Sequence, residues 1–138
     1  NSQMIYVSSR TSPTYAAIWK SLRDEGYPIS SSWIDSTGSD LRKDFESAWM
    51  CFEGEIAAAS SLVLYVGQRA DFPLASSLVE VGMAIAMGKR IFVAMPKINL
   101  TYNHQPAGSW VKHPRVTLLT HDDALRTAMD TARDGGVK

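Results

Sequence analysis

Residues 61–66 (SLVLYV) constrain the fold most: the run is continuous, β-branched and aromatic, the pattern of a strand buried on both faces. A strand buried in that way belongs inside a parallel sheet covered by helices. Three further apolar runs, residues 4–8 (MIYVS), 90–95 (RIFVAM) and 116–119, read as companion strands, and residues 29–34 as another. The segments between them carry helical signals. Ser12-Pro13 opens a helix, with Pro at an early helical position, followed by Ala16, Ala17, Ile18, Trp19 and Leu22; Gly26 stops it. A second helix is expected over about 40–59, with Phe45, Trp49, Phe52 and Ile56 on one face. A third runs over about 74–87 and ends at Gly88-Lys89, and a last one from Asp122 ends at Gly135-Gly136. Residues 35–38 read as a polar loop, and 97–114 as a long loop of functional or interface character.

Strands alternating with helices imply an α/β fold, a Rossmann/flavodoxin-like three-layer sandwich with a five-stranded parallel sheet in the order 2-1-3-4-5. Ligands then collect beyond the carboxyl ends of strands one and three, where the strand order switches. The 138 residues make one domain, expected over 4–138, with Asn1 to Gln3 set aside as an expression remnant ahead of Met4.

Fourteen basic residues balance fourteen acidic ones without a long run of either sign, which argues against a long nucleic acid as partner but leaves room for one small anion. No run approaches ~20 apolar residues, so a membrane partner is not expected. The single Cys51 has no internal disulfide partner, so a cytoplasmic setting is expected. Three scattered His residues and one Cys show no ligand spacing, so no metal is expected. Neither a phosphate-cradling Gly-rich loop nor a Ser-His-Asp arrangement is present, and no organic cofactor is expected.

Glu80 is the residue that most invites chemistry. It is the only charged side chain between Phe72 and Gly88, within LASSLVEVGMAIAMG. A carboxylate in an apolar helix is costly unless hydrogen-bonded or needed, and such a setting suits a nucleophile or general acid/base. The plainer reading is a glutamate early in a helix, favoured by the dipole and turned to water. Ser76 and Ser77 lie one turn earlier, where their hydroxyls either hold a phosphate or sugar hydroxyl or simply cap the helix. Tyr6, Ser8, Ser9 and Arg10 end the first strand as a candidate anion cradle or as ordinary loop caps. Trp33 and Asp35 close the second strand, offering an aromatic face and a carboxylate, or a core Trp and a turn residue. Glu46, Trp49 and Glu53 share helical spacing and either face a pocket or are a core Trp between exposed acids. Asp71 is the nearest acid after the third strand. Trp110, His113 and Pro114 precede the last strand, with His113 structural or turned toward a neighbouring subunit's site.

The run SSLVEVGMAIAMGKRIFV resembles the signature of the nucleoside 2-deoxyribosyltransferase superfamily, here Glu80, Gly82, Ala84, Gly88 and Lys89. The chain is similar in particular to small, mostly phage and bacterial members. These carry a MIYVSS-like start, a strand ending in WID, a helix with Trp and Glu, and a late W-x-x-H-P. The resemblance spans nearly the whole sequence. It implies a Glu80 nucleophile that attacks the anomeric carbon of a nucleoside or nucleotide, with Tyr6 orienting the carboxylate. It also implies that Trp33 and Asp35 hold the base or sugar, and that sites are completed across a homodimer or higher homo-oligomer. The apolar, Trp-bearing second helix points to self-association as well.

Two departures from the family pattern bear on the reaction. Base-exchanging members place an Asp six residues before the nucleophile, where this chain has Leu74, and an acid directly after the third strand, where it has Gly67-Gln68-Arg69. Serines before the glutamate are more like the nucleotide N-hydrolase branch, where they help bind the 5′-phosphate. Hydrolysis is therefore expected over transfer. The rival expectations are a binding or sensing module that keeps the pocket without turnover, and a degenerate structural protein.

Overall fold

The four strongest apolar runs all form strands in the computed structural model, which describes residues 3–36, 44–68, 71, 74–96 and 108–135. They are β1 (Ile5–Ser8), β2 (Ser61–Tyr65), β3 (Arg90–Ala94) and β4 (Val116–Leu119), paired in parallel in the order β1-β2-β3-β4. Leu62, Val63 and Leu64 of β2 have no exposed surface, as expected of a strand covered on both faces.

Among the described residues the sheet has four strands rather than five. Residues 29–34 contribute a single parallel bridge, Ile29 to Ile5, on the outer side of β1, and the chain then enters a 3-10 turn, Trp33–Asp35. Side chains replace the missing ladder. Val7 N donates to Ser31 Oγ at 2.7 Å, Ser31 Oγ donates to Val7 O at 3.2 Å, and Trp33 Nε1 donates to the same carbonyl at 2.8 Å. With the backbone groups of Val7 satisfied in this way, a second strand has nothing left to pair with beyond Ile5. The expected order survives in reduced form, with the bridge where the second strand was expected.

The helices are α1 (Pro13–Asp24), α2 (Phe45–Ala58), α3 (Ala75–Ala86) and α4 (Ala124–Arg133). Ser12 caps α1 by accepting from Tyr15 N at 3.2 Å, with Pro13 in the first turn, and Asp44 caps α2 by accepting from Ser47 N at 3.0 Å. Helix α3 ends where Gly88, at φ 80°, lets its N–H reach Ile85 O at 3.0 Å and Lys89 N reach Ala84 O at 2.9 Å. Lys89 Nζ then donates to Ala57 O at 2.8 Å and ties that end to α2.

Helix α3 packs on β2 and β3 with α2 against it. On the other face α4 packs on β2, β3 and β4, and Arg126 pairs with Glu25 at 2.8 Å just beyond α1. Three layers result, with the core between sheet and helices. The carboxyl ends of β1 and β2 and the amino end of α3 meet at one edge of the sheet. The start of the second helix over 40–43 and the loop over 97–107 lie outside the described residues.

Candidate active site

Strand alternation turns Tyr6 and Ser8 of β1 toward the same face, and α3 crosses that face with Ser77 and Glu80 one helical turn apart. The result is a polar cluster inside an apolar layer. Glu80 is 6% exposed. Ser8 Oγ donates to Glu80 Oε1 at 2.6 Å, and Tyr6 OH donates to Oε2 at 3.1 Å. Ser8 Oγ also lies 2.8 Å from Ser77 Oγ. A hydroxyl carries one proton, so with the carboxylate ionised Ser77 donates to Ser8 and Ser8 to Glu80. Ser77 is thus bonded across to β1 rather than capping its own helix, and Leu74, at the cap position of α3, makes no side-chain cap bond.

Burial raises the pKa of Glu80 to about 7; the Ser8 and Tyr6 hydrogen bonds pull against that rise, and the charge of Glu55 adds to it. Burial and the adjacent carboxylate push the Tyr6 phenol far above its usual range, so Tyr6 remains a donor. The turned-to-water reading of Glu80 is overturned: the side chain points inward, held at both oxygens.

A cleft of about 510 Å³ opens over this carboxylate, within the ~300–1,000 Å³ range of small-molecule sites. Of the residues singled out from sequence, Ser8, Ser9, Arg10, Trp33, Asp71, Ser76 and Ser77 line it together with Glu80. Ser9 Oγ is engaged structurally, accepting from Trp19 Nε1 at 2.9 Å. Asp71, 2% exposed, accepts from Tyr15 OH at 2.5 Å and from Gln68 N at 3.3 Å. Tyr15 and Asp71 are separated by 56 residues, so no local spacing signalled their pairing.

Three expected site residues lie elsewhere. Asp35 is exposed and forms a two-pronged ion pair with Arg23, at 2.9 Å for each bond, which also holds its pKa below the usual carboxylate value. Pairing with Arg23 of α1 takes its carboxylate away from the Glu80 cluster, and Asp35 is not among the residues lining the cleft. Gly82 is exposed on α3, two residues past Glu80, and a Cβ there would meet nothing within 4 Å; the helical turn carries it away from the cleft. His113 sits before β4, at the opposite end of the strands, with Nδ1 accepting from Arg115 N at 3.1 Å.

Sequence reasoning missed several wall residues, Thr11, Ser12 and Ala75 among them. Phe45 and Phe52 line the cleft beside Trp49, whose pocket-facing reading is the one the structure adopts, while Glu46 and Glu53 are exposed. The helical spacing that marked a core face also marks a face shared between core and cleft. Among the described residues no three or more His, Cys, Asp or Glu gather as a metal site, and no helix is long and apolar enough to cross a membrane.

No family model and no curated protein matches this sequence. Among solved structures the chain is similar to that of the CMP N-glycosidase BcmB of Clostridium botulinum. The TM-score is 0.53, the match covers 92% of this chain and 96% of that one, and identity is 12%. That likeness is one of fold: an α/β arrangement around a parallel sheet, shared over nearly the full length of both.

Proposed function

We propose that this chain cleaves the N-glycosidic bond of a nucleoside or nucleoside 5′-monophosphate, with Glu80 as nucleophile. The observation that carries the reading is the doubly hydrogen-bonded, buried Glu80 carboxylate at the floor of a cleft beyond the carboxyl ends of β1 and β2. A nucleotide N-glycosidase with a similar fold supports it.

In the first step a Glu80 oxygen bonds to C1′ of the sugar as the C1′–N bond breaks, and the base leaves with that electron pair and takes up a proton. In the second step water adds at C1′, its surplus proton goes to solvent, and the carboxylate is released. Tyr6 and Ser8 hold the carboxylate against rotation, and the negative charge stabilises the oxocarbenium-like transition state. Leu74 lines the cleft where base-exchanging relatives have an acid, which supports water rather than a second base as the acceptor.

The test is incubation with a panel of nucleosides and nucleoside 5′-monophosphates, followed by chromatography for free base. Base release that falls roughly 10³-fold or more in Glu80→Gln is expected. Release unchanged by that substitution would exclude Glu80 as the nucleophile. Tight binding without turnover in the wild type would point instead to a sensing module.

A further inference from the structure

The walls of the cleft divide by chemistry. One side, from the β1–α1 loop and the start of α3, is mainly polar: Ser9, Arg10, Thr11, Ser12 and Ser76, with the Asp71 carboxylate on the same lining and Leu74 and Ala75 as its apolar members. The other side is aromatic, built from Trp33 of the 3-10 turn and Phe45, Trp49 and Phe52 of α2. Glu80 lies on the floor. A nucleotide has the same division, with a polar sugar phosphate on one side of the glycosidic bond and a flat, polarisable base on the other.

The aromatic wall has little with which to read a base edge. The Trp33 indole N–H, the only hydrogen-bonding group of that side chain, is spent on Val7 O at 2.8 Å, and the residue is 3% exposed. Phe45 and Phe52 have no polar side-chain atom, which leaves the Trp49 indole N–H as this wall's remaining side-chain donor. Phe52 meets Trp49 edge-on, with ring centroids 5.6 Å apart and planes at 75°, which fixes the pose of the larger ring. Trp49 is half-buried and Phe45 is 55% exposed, so these two rings present the accessible surface.

Resting on the reading of Glu80 as the nucleophile, we infer that the leaving base is held by stacking against the aromatic wall of α2, Trp49 and Phe45 above all. Purine and pyrimidine nucleotides are then accepted alike, because every base offers a π-face while each presents a different edge. Trp49 and Phe45 are binding residues for the base, and the polar wall takes the sugar phosphate.

Binding is measured separately from turnover, so that the two readings fail separately. Isothermal titration calorimetry of Glu80→Gln with CMP, UMP, AMP and GMP is expected to give dissociation constants within about tenfold of one another. Ribose 5-phosphate, which lacks a base, is expected to bind at least tenfold more weakly than any of them. Adding Trp49→Ala is expected to weaken all four nucleotides by roughly 5- to 100-fold and leave ribose 5-phosphate unchanged. Phe45→Ala, at an exposed position with little bearing on folding, is expected to act in the same direction and serves if the Trp49 variant unfolds. A hundredfold preference for one base would overturn the inference, since that is edge reading. Ribose 5-phosphate binding as tightly as the nucleotides, or no nucleotide binding at all, would overturn it too. Base release lost in Glu80→Gln without this binding pattern would leave the nucleophile in place and remove the stacking.

Discussion

At the scale of single residues, Glu80 faces two demands that pull apart. A nucleophile must be ionised, and burial holds this one half-protonated near neutrality. The rate of base release should therefore rise with pH through a midpoint near 7 and level off above it. Ser8→Ala removes the 2.6 Å donor that favours the ionised form, so the midpoint should move to higher pH and the rate at pH 7 fall by about tenfold. A substitution that merely loosened packing would lower the plateau and leave the midpoint in place. Stability follows the opposite course. The folded pKa of about 7 lies above the ordinary 4.5, so between those values the unfolded chain has released a proton that the folded chain still holds. Rising pH across that window favours unfolding, and above it the cost is on the order of 3 kcal/mol. Glu80→Gln removes this dependence, and thermal melts should show it more stable than the wild type at pH 8 and nearly equal at pH 4.5.

At the scale of elements, the segment between α1 and α2 shows what a hydroxyl can do to a strand. Ser31→Ala would leave the Val7 N–H buried without its 2.7 Å partner, a loss expected to cost about 1–3 kcal/mol in urea unfolding. If stability is unchanged, backbone pairing has taken over and the replaced-ladder account fails. The same segment marks where sequence reading stopped. β1, β2, β3 and β4 were legible because continuous β-branched runs have few other uses, and α1 and α3 because Pro13 and Gly88 mark their ends. Residues 29–34 look equally strand-like by their apolar members, but serine side chains competing for β1 decide the outcome, and that competition is set in three dimensions. Glu80 was legible as the one charge in an apolar helix and Tyr6 as its partner only through the family resemblance, while Ser8 and Ser77 read as anion cradle or helix caps, because their meeting at Glu80 is set by tertiary packing. Asp35 was misplaced because its partner Arg23 is on another element. Phe45 and Phe52 went unnoticed as wall residues because helical periodicity does not distinguish a face turned to the core from one turned to a cleft.

At the scale of the whole molecule, large apolar side chains remain outside. Met50 of α2 is 69% exposed and Val79 of α3 is 54% exposed, on two helices that pack together. Self-association would bury them, in keeping with the homo-oligomer expected from sequence. Sedimentation velocity at micromolar concentration is expected to give a dimer or larger species, and Met50→Glu combined with Val79→Glu to shift it toward monomer. A wild type that sediments only as monomer would remove this expectation.

The way Val7 is satisfied also has a bearing on how the chain behaves in a crowded solution. β1 ends the strand order, and an edge strand normally offers a row of open donors and acceptors onto which a foreign strand can add. Here Pro28 O and Ser30 N take the two groups of Ile5, and Ser31 and Trp33 take those of Val7. The margin of the sheet nearest the cleft is therefore sealed from within. A neighbouring strand finds no open backbone donor or acceptor at Ile5 or Val7 onto which to add.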